Sequence, residues 1–202
     1  MGVFATGLGL GFLVAAQVGP IWLLCLRTSA RFGFRSGVAI GAGAAVVDTL
    51  YAALGVAGAA PLLQIDALRL ALGLTGAAVL GVIGFRTLRD AFRVRLGAEG
   101  PTEIAAPRRA FATSIAATAS NPMTIISWAA VFSAASTAGA DRPLPLIAGV
   151  GVGSLAWFVL LAAGTSAARR RLGTRFLRVV DAVAGTGLLA FAGVLGWRTL
   201  RG

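Results

Sequence analysis

The sequence predicts an all-α membrane protein, with six transmembrane helices arranged as two inverted three-helix repeats and broken helices at Pro20 and Pro122. Three observations predict it. Long apolar runs recur with short connections in a chain of 202 residues that is 57% hydrophobic, with a mean hydropathy of +0.87. Soluble domains are nearer about 45–50% apolar. The arginines cluster in alternate connections, and the two halves of the chain repeat each other.

The apolar runs place the spans at about Val3–Leu26, Gly37–Ala60, Ala67–Leu88, Ala110–Thr137, Leu144–Ala167 and Leu177–Thr199. Each is near the roughly 20 residues that cross a bilayer core as a helix. The connections are short except Arg93–Arg109, which carries Gly97, Gly100, Pro101 and Pro107. The expected organisation is therefore a first three-helix repeat over 1–92, a cytoplasmic linker over 93–109, and a second, inverted repeat over 110–202.

All 18 basic residues are arginine. Fourteen of them fall in the first, third and fifth connections or at the span ends beside them, leaving only Arg69, Arg142, Arg198 and Arg201 for the other side. Short cytoplasmic loops carry the excess of positive charge, so the odd-numbered connections are expected in the cytoplasm and both termini outside. The formal net charge of +11 suggests a nucleic-acid partner in a soluble chain. Here it follows from the loops, and no nucleic acid is expected. No cleavable signal peptide is expected either, because no positive region precedes the first apolar run.

The repeat is legible residue by residue. Gly43, Asp48, Tyr51 and Gly58 answer to Gly149, Ser154, Trp157 and Gly164 at an offset of 106. Gly84-Phe85-Arg86-Thr87-Leu88-Arg89 answers to Gly196-Trp197-Arg198-Thr199-Leu200-Arg201 at an offset of 112, as Gly73 does to Gly185 and Gly81 to Gly193. Gln17-Val18-Gly19-Pro20 and Ser120-Asn121-Pro122 each set a proline after a polar residue. An odd number of spans per half forces the second half to insert upside down, an architecture common among secondary transporters.

Candidate site residues follow from what the bilayer tolerates. Proline removes a backbone donor and clashes with the preceding turn, and freed carbonyls in lipid must face a cavity or other protein. Broken helices expose half-helix ends that bind polar substrates, and Gln17, Gly19, Ser120, Asn121 and Thr124 lie beside the two breaks. Asp48 sits near the middle of its apolar run, where an ionised carboxylate is costly and normally faces a polar cavity or a partner. It is the candidate for a titrating or cation-binding group, or else a structural carboxylate satisfied by Thr49, Gln17 or an arginine. Tyr51, one turn on, shares its face and carries a hydroxyl donor. Asp181, in a run of arginines, reads as an interfacial ion pair.

The small-xxx-small pairs Gly7/Gly11, Gly33/Gly37, Gly37/Gly41 and Gly149/Gly153 allow close helix approach, within the chain or across a homodimer face. Trp22, Trp128 and Trp197 read as membrane-interface anchors, and Trp157 as a wall of the cavity. Cys25 is the only cysteine and histidine is absent. This excludes a dithiol pair, the usual proton relay and the usual base for a nucleophile, so neither enzymatic activity nor a cofactor is expected.

With Gly19-Pro20 in the first span, Gly37, Gly41 and Gly43 leading to Asp48 in the second, and Asn121-Pro122 in the fourth, the sequence resembles the LysE/RhtB superfamily of bacterial amino-acid exporters over essentially its whole length. The resemblance implies secondary efflux of amino acids or related small metabolites across the bacterial plasma membrane, driven by the proton-motive force. It implies Gly19, Pro20, Asp48, Asn121 and Pro122 as functional positions, with a small-molecule substrate, protons and membrane lipids as partners. Many members place a lysine or histidine after the Asn-Pro. Here it is Met123, which argues against a substrate whose carboxylate pairs with that cation. Two other readings stand beside the exporter. One is efflux of heavy metals or other cations, for which one cysteine and no histidine make a poor soft-metal ligand set. The other is a non-transporting membrane scaffold.

Overall fold

Gly19 and Pro20 dictate the first feature of the fold. In the computed structural model, helix α1 (Val3–Ala15) stops at Ala16, and helix α2 (Pro20–Phe32) starts with proline as its first helical residue. At that position the missing N–H has no partner to lose. Gly19 is extended, and the two helices meet at 79°. The structure describes residues 2–57, 70–71, 74, 77–78, 81–82, 84–86, 106–121, 124, 128 and 143–201. Gly58, Arg69, Gly73, most of the expected linker, Pro122, Met123, Arg142 and parts of the expected third and fourth spans lie outside the described residues.

Helix α2 runs past the expected end at Leu26 to Phe32, carrying Arg27 and Arg31 with it. These arginines are therefore not loop residues. Gly33 ends α2 with φ +89° and ψ −177°, a conformation open essentially only to glycine, and turns the chain directly into helix α3 (Phe34–Val56). The 23 residues of α3 are about 34 Å long, enough to cross the roughly 30 Å hydrocarbon core. One side of α3, with Val46, Leu50 and Leu54 at successive turns, is exposed, while Gly37, Gly41, Ala44 and Asp48 are buried. An exposed aliphatic stripe opposite a small-residue face is what lipid on one side and helix on the other demand.

Helix α4 (Pro107–Ala119) also begins on a proline and takes in Arg108 and Arg109, which the sequence placed before the span. The last helical stretch, α5 (Pro143–Arg201), holds two segments apolar and long enough to cross a membrane, Pro143–Arg169 and Phe176–Val194. The expected loop between them is helical, as the Ala/Arg run 167–171 favours. The stretch nevertheless folds back. Ser166 donates to the Ser29 carbonyl while Leu188 packs on Leu23, and those two partners are six residues apart on α2. A straight helix would hold Ser166 and Leu188 about 33 Å apart.

All described elements are helical. Three described helices are long and apolar enough to cross a membrane, or four if the bent α1–α2 pair is one span. The small residues set how closely they pack. A Cβ on Gly7 or Gly11 would land on the backbone of Leu146 or Val150 in α5, and one on Gly149 or Gly153 on the backbone of Phe4 or Leu8 in α1. A Cβ on Gly37 would meet the side chains of Ser29 and Ala162, one on Gly41 that of Phe158, and one on Gly43 the Phe111 carbonyl and the Ser114 side chain of α4. These glycines are all occupied by other helices of the same chain.

Candidate functional site

The break between α1 and α2 opens into a cavity of about 100 Å³. Val14, Ala15 and Gln17 come to it from the end of α1, and Gly19, Pro20, Ile21 and Trp22 from the start of α2. Ala44 and Asp48 of α3, Thr118, Asn121, Thr124, Phe158 and Phe191 complete it. Of the residues picked out from the sequence, the cavity brings together Gln17, Gly19, Pro20, Asp48, Asn121 and Thr124. Tyr51 and Ser120 do not line it. Pro122 lies outside the described residues.

Asp48 is 4% exposed and held by two neutral donors. Trp128 Nε1 donates to Oδ1 at 2.8 Å and Ser154 Oγ to Oδ2 at 2.6 Å. A buried carboxylate needs such donors or a counter-charge, and these come from two different parts of the second half of the chain. Thr49 is not its partner, because its hydroxyl donates to its own helix at Ala45 O, 2.6 Å. Tyr51 reaches across instead to the last carbonyl of α4, donating to Ala119 O at 2.8 Å. Ser120 Oγ donates to Ala116 O at 2.6 Å, within its own turn.

Two tryptophans depart from the sequence reading. Trp128 is 1% exposed and serves the acid, so it is no interface anchor. A ring that large, with one N–H, is stable in a core when that N–H finds an acceptor, and Asp48 is that acceptor. Trp157 does not line the cavity. It packs edge-on against Phe12 at 5.2 Å between ring centroids and borders a separate open apolar groove with Leu160, Leu161 and Phe176. Of the other two, Trp22 lines the cavity and packs against the Leu23 cluster, and Trp197 is exposed.

Asp181 lies in an ion pair, with partners that are distant in sequence. Arg27 Nε donates to Oδ1 at 3.1 Å, and Arg31 donates from Nε and Nη2, the Nε contacts being 2.8 and 2.9 Å. Arg27 and Asp181 are buried and Arg31 partly so. The ion pair ties the second half of the broken first element to the returning segment of α5.

Sequence reasoning missed Trp128, Phe158, Phe191 and Thr118 as site residues. Ser154 was visible only as the repeat equivalent of Asp48, and that offset of 106 was the signal, since the two are hydrogen-bonded. Thr118 carried no signal: it is one of several Thr and Ser residues in a small-residue helix.

Compared with known proteins, residues 12–199 match the family model described as "LysE type translocator". The chain is similar to the "Chemotactic transduction protein ChpE" of Pseudomonas aeruginosa, with 32% identity over 199 residues, covering 96% of this chain and 97% of that protein. It is also similar to the "Putative amino acid efflux protein YcgF" of Bacillus subtilis, with 28% identity over 209 residues, covering 100% of this chain and 98% of that protein. No solved structure matches the chain.

Proposed function

The chain belongs to the LysE type translocator family of integral membrane transporters, and on that premise we propose that it is a secondary exporter of amino acids or related small metabolites in the bacterial plasma membrane. One observation carries the proposal. A membrane-buried acid, a broken helix and the amide side chains of Gln17 and Asn121 meet around one cavity. An intramembrane acid facing a cavity marks a substrate or ion path, and discontinuous helices are where secondary transporters place their sites.

In this reading the substrate enters from the cytoplasm and sits at the break between α1 and α2, beside the end of α4. Asp48 takes up a proton or the substrate's ammonium group, and the site then opens outward. Six spans in two inverted halves, with both termini outside, supply the rocking motion. The hydrogen bond between Asp48 and Ser154 supports that symmetry, because repeat equivalents close to a pseudo-twofold axis come together. The amino-acid efflux activity in the name of the Bacillus relative supports the substrate class.

The test loads expressing cells with a panel of dipeptides and measures which amino acids appear outside, for the wild type and for Asp48→Asn. The expected result is export by the wild type, sensitive to a protonophore, and none by the variant at equal membrane abundance. Undiminished export by Asp48→Asn removes the acid from the mechanism. Reporter fusions at both termini test the topology separately.

A further inference from the structure

Resting on the exporter reading, we propose that the cavity is a two-ended site for a small zwitterion, with the start of α2 and the Thr118 hydroxyl taking a carboxylate and Asp48 taking the ammonium group. Thr118 is 2% exposed and lines the cavity, and its hydroxyl has no hydrogen-bond partner among the described residues. A buried hydroxyl without a partner is unfavourable, and a ligand atom that fills the cavity satisfies it. Gly19, Pro20, Ile21 and Trp22 line the same cavity.

These four residues are the N-terminus of a 13-residue helix with no side-chain cap. Leu23 N–H is the first to bond within the helix, to Gly19 O at 3.0 Å. The Ile21 and Trp22 N–H groups have no acceptor inside the helix, as in the first turn of any helix. Such a terminus carries partial positive charge and receives anions.

No arginine lines the cavity among the described residues, and the sequence between Asn121 and Trp128 contains no cation. Among the described residues, an anionic group in the cavity meets neutral donors, and the start of α2 with Thr118 is the set at hand. At the other end, Asp48 Oδ1 accepts from Trp128 and Oδ2 from Ser154. A carboxylate has about four acceptor sites, so an ammonium group can be received without displacing Trp128 or Ser154. A cavity of about 100 Å³ has room for several water molecules. Phe158 and Phe191 line it as well, and its size suits an amino acid with a small side chain.

The test uses L-alanine with the full-length protein and has two readouts: thermal stabilisation in detergent, which reports binding, and counterflow in proteoliposomes, which reports transport. Thr118→Val keeps the shape and removes the hydroxyl, and Thr118→Ser keeps the hydroxyl. The expected result is that Thr118→Val weakens alanine binding and raises the transport KM about tenfold or more, while Thr118→Ser stays near the wild type. Alaninamide, which lacks the carboxylate, should bind weakly to the wild type and be unaffected by Thr118→Val. Unchanged alanine binding in Thr118→Val, or an equal loss for alanine and alaninamide, overturns the subsite and leaves the exporter reading standing. Alanine that binds as expected without counterflow overturns the exporter reading and leaves the subsite. If the wild type neither binds nor exchanges alanine, the inference falls.

Discussion

Asp48 and Asp181 are both buried carboxylates, 4% and 1% exposed, and both join the first half of the chain to the second. They differ in what holds them. Asp48 accepts from an indole N–H and a hydroxyl and borders a cavity. Asp181 accepts from two guanidinium groups and does not line that cavity. Neutral donors leave a carboxylate free to gain a proton or a cation without losing a counter-ion. Two arginines already supply the counter-charge, and a further cation there is repelled. The first arrangement suits a cycle of binding and release, and the second suits a fixed joint between α2 and the returning segment of α5.

Removing each acid should separate the two roles. Asp181→Ala removes the carboxylate that Arg27 and Arg31 share, and breaking a buried pair costs about 3–5 kcal/mol. The expected outcome is loss of folded protein, read as membrane abundance and detergent melting temperature. Replacing all three groups, Arg27→Met and Arg31→Met with Asp181→Leu, should recover most of that loss, since an apolar set of similar volume is often neutral. Asp48→Asn should do the reverse and keep the folded protein while removing transport. If Asp181→Ala folds normally and Asp48→Asn does not, the contrast is wrong.

A second, smaller effect concerns the glycine contact between α1 and α5. Gly153→Leu would drive a side chain into the Leu8 backbone, and forced overpacking costs about 1–3 kcal/mol. Membrane abundance should fall, with any surviving protein bound to substrate more weakly because α1 carries Val14, Ala15 and Gln17 to the cavity. Gly193→Leu, where a Cβ meets nothing within 4 Å, is the control and should be close to neutral.

How much of this was legible in the sequence depended on whether the signal was local. The break at Gly19-Pro20 was, because proline acts on its own turn, and so were the small faces of α1 and α3. Asp48 stood out because an acid in an apolar run is costly wherever the run goes. Its donors did not, because Trp128 lies 80 residues away and an aromatic near a span end is more often an anchor. Arg27 and Arg31 looked like loop charges for the same reason. Their partner at position 181, 150 residues beyond Arg31, helps to stabilise burying them in a helix. The helical link between the two segments of α5 was hidden by Gly173 and the arginine run, which look like a loop when pairing with α2 is unknown.

Weaker substitutions around Asp48 can sharpen the comparison further. Ser154→Ala removes one donor, and single interhelical hydrogen bonds in membranes are worth about 0.6 kcal/mol on average and about 1.7 at most. Folding should barely change, yet transport should respond, because in the proposed mechanism the acid it touches is the group that cycles. Trp128→Phe should act in the same direction, with a larger stability loss from repacking a buried ring.

Tyr51→Phe is expected to have the smallest effect. Tyr51 stands one turn from Asp48, but its hydroxyl serves the Ala119 carbonyl at 2.8 Å and its ring does not line the cavity. The loss should be about 0.6 kcal/mol, seen as a slight drop in melting temperature with KM and maximal rate near the wild type. Ser154→Ala and Tyr51→Phe each remove one hydroxyl hydrogen bond of α3 to another element, and only the first touches the acid. If both variants lower transport equally at equal abundance, the rigidity of α3 limits export, and the neutral donors on Asp48 have no special part in it. A transport loss confined to Ser154→Ala ties the cycle to the acid's own hydrogen bonds.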